Sequence, residues 1–363
     1  MRRRRGARPA WPAVLVVVLC LAAGSVRVWA ADEMAGVDYM TLLGPDGGVI
    51  CQTGFALDVG DEYVDSDNNV WRVAEVVGKT AIASYVRELD LSNAVSDFQI
   101  TFAASPLSQG AGRPRVGVYH THSDESYVPT DGSESDPAGR GGVYQVGDTL
   151  TNGLERAGIS VVHSLANHLP HDAGAYERSR RTAMEVLRGS AAIFDVHRDA
   201  APAEAYLRRV GGQDVTQVMI VVGRTNPQAE ANMAFAKAIK AASDSQQPGL
   251  IRGILTTGGR FNQDLSPRAL LFEVGAHTNR REDAEEAVRR LAGVIPQVLG
   301  AGGGGVAGSG ALRALGVIVL LVVVGGGAWL YVATGGNWRA AWQKLRSLGE
   351  EFASYFGRRR PRR

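Results

Sequence analysis

Between Arg115 and Leu299 the chain alternates short apolar runs with amphipathic stretches of helical period, and this pattern leaves few folds open. Strands are expected at Val116 to Tyr119, Ser160 to His163, Ala192 to Val196, Val218 to Val222 and Leu270 to Val274. Helices are expected at Gly147 to Ala157, Ala175 to Leu187, Gln228 to Ala242 and Arg281 to Val298. Strand and helix in turn predict an α/β domain over 113–299, a mostly parallel sheet flanked by helices on both faces.

Upstream, residues 37–105 read differently. Val49-Ile50-Cys51, Val70 to Val73 after the Asp67-Asn68-Asn69 turn, and Ala81-Ile82-Ala83 after Gly78 are short strands with turn signals between them. They predict a small β module preceding the α/β domain. It contains no histidine, so packing or partner contact is its expected role. The chain has 2 cysteines, Cys20 in an apolar leader and Cys51, so no disulfide is expected in the mature chain and Cys51 reads as a small buried residue.

The ends carry addressing signals. Residues 1–30 open with four arginines, Arg2 to Arg5, followed by an apolar run from Ala13 to Ala23 and a small-residue cleavage site at Val28-Trp29-Ala30, the layout of a signal peptide or signal anchor. Residues 300–313 form a glycine-rich linker. Residues 314–334 are uncharged and about as long as the ~20 residues of a transmembrane helix. The tail, 335–363, is basic and amphipathic, with Trp338, Trp342, Leu345, Leu348 and Phe352 at helical spacing, which predicts a cytoplasmic tail lying on the bilayer. The expected location is therefore the cell membrane, single-pass, with the body outside the cytoplasm. A net charge of +2, with the basic residues gathered at the ends, argues against nucleic acid as a partner.

All 7 histidines fall between His120 and His277, inside the α/β region. His122 and Glu125 in "VYHTHSDESY", His197 in "IFDVHRDA" and Glu273 in "LLFEVGAHTN" each follow an apolar run, which puts them at the carboxyl ends of strands, where open α/β sheets bind ligands. Two imidazoles and one carboxylate make a catalytic zinc set that leaves a coordination position for water. Glu273 then remains as the base for hydrolysis of an amide. In an extended segment His120 points to the same side as His122, so the sequence leaves open which of them is the ligand. Asp195, two residues before His197, is placed to orient an imidazole or to serve as a plain structural carboxylate. Arg198 suits a carboxylate or an oxyanion, or an ion pair with Asp195 or Asp199. His168 and His171 in "NHLPHD" belong to a loop that either lines a groove or is solvated. Asn262, Gln263 and Asp264 suit sugar or peptide hydrogen bonding, or turn formation alone.

The stretches "VYHTHSDESY", "GGVYQVGDTLTNGLERAGI", "HDAGAYERSRRTAMEVL", "IFDVHRDA", "VVGRTNPQAEANMAFA" and "RFNQDLSPRALLFEVGAHTNRREDAEEA", over roughly residues 115 to 298, resemble the stage II sporulation protein P family of peptidoglycan hydrolases. The resemblance implies a zinc amidase-like fold and N-acetylmuramoyl-L-alanine amidase activity, with endopeptidase activity on cross-links in addition. It implies His120 or His122, Glu125 and His197 as zinc ligands and Glu273 as the catalytic glutamate. It also implies peptidoglycan as substrate, and a glycan-cleaving hydrolase and membrane scaffold proteins as partners. Three features depart from the family pattern: a C-terminal rather than N-terminal membrane segment, His277 after the base, and the β module. The competing readings are a zinc carboxypeptidase or peptidase of the cell envelope and a non-catalytic wall-binding regulator.

Overall fold

The apolar runs at 218–222 and 270–272 have no polar alternation and are buried on both faces, so their strands pair near the centre of one large sheet. The computed structural model describes residues 38–103, 114–172, 174–300 and 332–339. The strands are β1 (Met40–Leu43), β2 (Val49–Thr53), β3 (Glu62–Val64), β4 (Asn69–Val77), β5 (Thr80–Glu88), β6 (Arg115–Tyr119), β7 (Ser160–His163), β8 (Ala192–Asp199), β9 (Leu207–Val210), β10 (Gln213–Thr216), β11 (Val218–Gly223), β12 (Ile251–Thr257) and β13 (Ala269–Ala276). The helices of more than four residues are α1 (Ala94–Ala103), α2 (Val143–Arg156), α3 (Ala175–Leu187), α4 (Ala229–Gln246) and α5 (Arg281–Val298).

All strands but β9 and β10, which form a separate hairpin, join an 11-stranded sheet in the order β2-β1-β5-β4-β3-β12-β11-β13-β8-β6-β7. This corrects the expectation of a mostly parallel sheet, because the sheet is mixed. β6, β7, β8 and β13 run parallel, and so do β11 and β12, but β11 is antiparallel to β13 and β12 to β3. The reason lies in the connections. Parallel neighbours need a crossover of about a dozen residues or more, usually a helix. α2, α3 and α4 supply it between β6 and β7, β7 and β8, and β11 and β12. Between β8 and β11, and again between β12 and β13, the chain has no α-helix, and at each point it reverses direction.

The strands of the N-terminal region are not a separate layer. β3 pairs with β12 through Val64 and Ile254, which makes β1 to β5 the continuation of the same sheet. One sheet face, with Val118, Phe194, Val196, Ile220 and Phe272, packs against α2, α4 and α5 through residues such as Leu150, Phe235 and Leu291. The other carries Tyr119, Ile193 and Ala269 under α3, and Met219, Leu255 and Leu271 beside Met40, Phe55, Tyr63 and Tyr206.

The chain divides into compact units at Ala301, and of the second unit only residues 332–339 are described. Among the described residues no helix is long and apolar enough to cross a membrane, so the expected C-terminal transmembrane helix has no counterpart there. The leader, most of the linker, nearly all of the 314–334 run and most of the tail lie outside the described residues.

Candidate metal centre

Strand parity builds the site. In β8, Ala192, Phe194 and Val196 face the core, so Ile193, Asp195, His197 and Asp199 face the α3 side. Glu273 of β13 is in register with His197 of the parallel β8, so the two side chains stand next to each other on that same face. Both are buried, at 1% exposure for Glu273 and 0% for His197. A bulge follows Glu273, with Gly275 at φ +71°, and it brings the His277 N–H to the Asp199 carbonyl at 2.9 Å.

His122 and Glu125 come from the turn after β6, which leaves the sheet at Tyr119. Glu125 Oε1 lies 3.4 Å from His122 Nδ1 and 3.5 Å from His197 Nδ1. One ligand atom from each of the three side chains falls within 4.8 Å of the others. Tetrahedral zinc with bonds near 2.0–2.1 Å sets its ligand atoms about 3.3 Å apart. The donor set and its spacing fit zinc.

Each donor is held from behind. Asp195 Oδ1 lies 2.9 Å from His197 Nε2, so the opposite ring nitrogen is aimed at Glu125. The same carboxylate accepts the Thr121 N–H at 2.8 Å and the Thr121 hydroxyl at 2.6 Å, which ties β8 to the turn that carries His122. Glu125 Oε2 accepts the Arg198 N–H at 3.0 Å, while Arg198 Nη1 stands 3.9 Å from Oε1 and Nη2 donates to the Glu134 carbonyl. Arg198 therefore turns to Glu125, not to Asp195 or Asp199. His171 stacks on His122 at 3.8 Å between ring centroids and lies 3.0 Å from Asp124. Tyr176, at the start of α3, packs against both His122 and His197.

Opposite charges are concentrated and buried at this point. Burial alone would raise the Glu125 carboxyl, but His197 and Arg198 hold it well below the usual carboxylate range. Burial alone would depress the His197 imidazole, but Asp195 and Glu125 push it well above its ordinary value. Three buried acids, Glu125, Asp195 and Glu273, surround one imidazole. The buried Arg198 guanidinium offsets part of that charge, and a bound cation would offset more of it.

His120 is not in this cluster. Its Nδ1 bonds the Val196 carbonyl at 2.8 Å, its Nε2 meets His163 Nε2 at 2.8 Å, and His163 Nδ1 lies 3.0 Å from Asp148, on the helix-covered face of the sheet. The expectation that His120 shares a side with His122 fails because strand alternation ends at Tyr119. Burial, with His163 next to it, lowers the His120 imidazole to about 3, which keeps the ring neutral. His168 is a structural residue that bonds the His120 carbonyl and Thr182. Asn262 bonds the Tyr176 carbonyl and Ser179, Gln263 bonds Gly223 and Val221, and Asp264 pairs with Arg180, so all three hold the loop together. Thr121, Asp124, Tyr176 and the His120–His163 pair escaped the sequence reading. Only Thr121 and Asp124 carried a signal, through their place between His120 and Glu125.

The family model for stage II sporulation protein P matches residues 65–296. Stage II sporulation protein P of Bacillus subtilis (strain 168) is 30% identical over 213 residues, 53% of this chain and 53% of that protein, so the chain spans about half the length of the curated relative it matches. Among solved structures, an N-acetylmuramoyl-L-alanine amidase of Nostoc punctiforme is similar at TM-score 0.34 and 16% identity, covering 52% of this chain and 97% of that one. An N-acetylmuramyl-L-alanine amidase of Mycobacterium smegmatis is similar at TM-score 0.36 and 15% identity, covering 53% and 100%. Since the family model covers well over half of it, the chain belongs to the stage II sporulation protein P family.

Proposed function

We propose that this chain is a zinc-dependent peptidoglycan hydrolase that cuts the amide between N-acetylmuramic acid and the L-alanine of the stem peptide. The observation that carries the reading is the convergence of His122, Glu125 and His197 on one buried point, with Glu273 beside His197 on the neighbouring strand. The family resemblance of the sequence motifs selects the bond.

When bound, zinc supplies a Lewis acid that polarises a carbonyl and brings the pKa of water to about 7. His122, His197 and Glu125 would hold it. Asp195 fixes the His197 ring, and Arg198 offsets the Glu125 charge from behind, which makes both positioning residues rather than groups that touch substrate. Glu273, buried beside His197 on the same sheet face, takes the proton of the attacking water and returns it to the departing amine. The stem peptide lies outside the cytoplasm, so the proposal places the chain there. It also includes the partners that the resemblance implies, a glycan-cleaving hydrolase and membrane scaffold proteins.

The test is digestion of purified peptidoglycan by the zinc-loaded protein, with mass spectrometry of the soluble products. Free stem peptides with an L-alanine amino terminus are expected. Terminal amino acids released in their place would make the chain a carboxypeptidase. Binding without any cleavage would make it a wall-binding regulator.

A further inference from the structure

We propose that the N-terminal strands complete the catalytic centre: the turn after β2, through Gly54 and Phe55, fixes the end of the strand that carries His197. The proposal rests on the zinc-hydrolase reading and deepens it. The family model begins at residue 65, so these positions precede the matched stretch.

His197 stands two residues from the end of β8, and a ligand near a strand end is only as well placed as that end. The end is held by Asp199, which is 2% exposed. Its Oδ1 accepts the Gly54 N–H at 2.6 Å and the Ala200 N–H at 2.8 Å, and its Oδ2 accepts the Tyr206 hydroxyl at 2.6 Å. Its carbonyl accepts the His277 N–H, so the same residue also ties down the chain beyond Glu273. The approach of Gly54 leaves no room for a side chain. A Cβ there would lie 2.9 Å from Ala200 Cβ and 3.1 Å from Asp199 Oδ1.

A second path starts one residue on. Phe55, fully buried, meets Phe261 edge-on at 5.7 Å. Phe261 meets Tyr176 at 5.3 Å, and Tyr176 packs against the rings of both His122 and His197. One turn thus reaches both imidazoles, by a polar route and an aromatic one. The turn itself is anchored. Asp61 accepts bonds from Arg224 and Thr257 at 2.9 Å each, the Tyr63 hydroxyl donates to the Arg252 carbonyl at 3.0 Å, and Arg252 donates to the Gln52 carbonyl at 3.1 Å.

The experiment compares variants of the full chain by zinc competition with a chromogenic chelator and by kcat and KM on purified peptidoglycan. Gly54→Ala is expected to weaken zinc binding by about 10- to 100-fold, the usual cost of losing support behind a ligand, and to lower kcat with KM little changed. Asp199→Ala should behave like it. Asp199→Asn, whose amide oxygen still accepts from Gly54 and Ala200 while its NH2 donates to Tyr206, should retain most of the affinity. Leu291→Ala opens a cavity in the helix layer on the opposite face of the sheet, away from this turn. It should lower the melting temperature and leave zinc affinity unchanged. Should Gly54→Ala fail to accumulate as folded protein, Tyr206→Phe, which removes one of the bonds to Asp199, carries the same test with a several-fold loss expected. Unchanged zinc affinity in folded Gly54→Ala or in Tyr206→Phe overturns the proposal, and so does an equal loss in Leu291→Ala, which would reduce the effect to general destabilisation. A wild-type chain that takes up no zinc overturns the hydrolase reading beneath it and this proposal with it.

Discussion

Asp195 offers a sharp test of how the centre is held, because charge and shape can be removed separately. Its two oxygens serve three donors: Thr121 N at 2.8 Å, Thr121 Oγ1 at 2.6 Å and His197 Nε2 at 2.9 Å. In Asp195→Asn the amide oxygen can keep Thr121 N and His197 Nε2. The new NH2 then faces Thr121 Oγ1, a hydroxyl that can turn and accept, so the bonds are kept and only the charge is lost. A hydrogen bond to a charged group is worth about 1 kcal/mol more than one to a neutral group, so zinc affinity should fall by about tenfold and fold stability by about 1 kcal/mol. Asp195→Ala removes the acceptor altogether. Each buried N–H that loses its partner costs about 1–3 kcal/mol, so this variant should lose about 2–6 kcal/mol of fold stability as well. The assays are chelator competition for zinc and urea unfolding of the metal-free chain. Equal zinc affinity in wild type and Asp195→Asn, or equal stability in Asp195→Asn and Asp195→Ala, would refute the argument that this carboxylate orients His197.

Glu273→Gln should keep zinc at full stoichiometry and lose about 10²–10⁴ in turnover, the worth of a positioned general base, as read by product release from purified peptidoglycan. Zinc binding should strengthen as pH rises, because Asp195 and Glu125 outweigh burial and hold the His197 imidazole well above its ordinary value, and the proton there must leave first. Each pH unit below that folded value should weaken binding about tenfold, and isothermal titration across pH checks the slope. In acid the sign reverses for Asp195. His197 and Thr121 outweigh burial and hold its carboxyl below the ordinary range, so its contribution to stability is complete above about pH 4 and fades as pH falls through the folded value. Asp195→Asn should flatten that acid-side loss in thermal melts. Gly147→Ala should destabilise the fold by about 1–3 kcal/mol in urea titration although alanine favours helices, since a Cβ there would lie 2.5 Å from His120 Nε2 and 2.7 Å from His163 Nε2.

Much of the region from 115 to 299 was legible because its elements are long or strongly apolar. Ser160–His163, Ala175–Leu187 and Arg281–Val298 form at the residues that periodicity marks. Strand direction was not legible from apolar runs. It was present instead in what joins them, since the chain reverses where a connection lacks a helix. The choice between His120 and His122 was illegible for a related reason. Two-residue alternation holds only within a strand, and β6 ends at Tyr119, so the two imidazoles part to opposite faces of the sheet.

The reading of a separate N-terminal module traces to one overlooked strand. Ile251–Thr257 contains Arg252 and Gly253, residues that weaken a strand signal, and both are there for the junction itself. Gly253 admits the Tyr63 ring, whose hydroxyl would lie 2.4 Å from any Cβ, and Arg252 is buried between the Gln52 carbonyl and the face of Tyr206. With β12 recognised, β3 has a partner, the strands before residue 65 become the flank of the catalytic sheet, and the turn at Gly54 falls beside Asp199. The residues that hid the strand are those that join the two halves of the sheet. At a junction of this kind, low strand propensity marks close packing by a neighbouring element rather than a gap between domains.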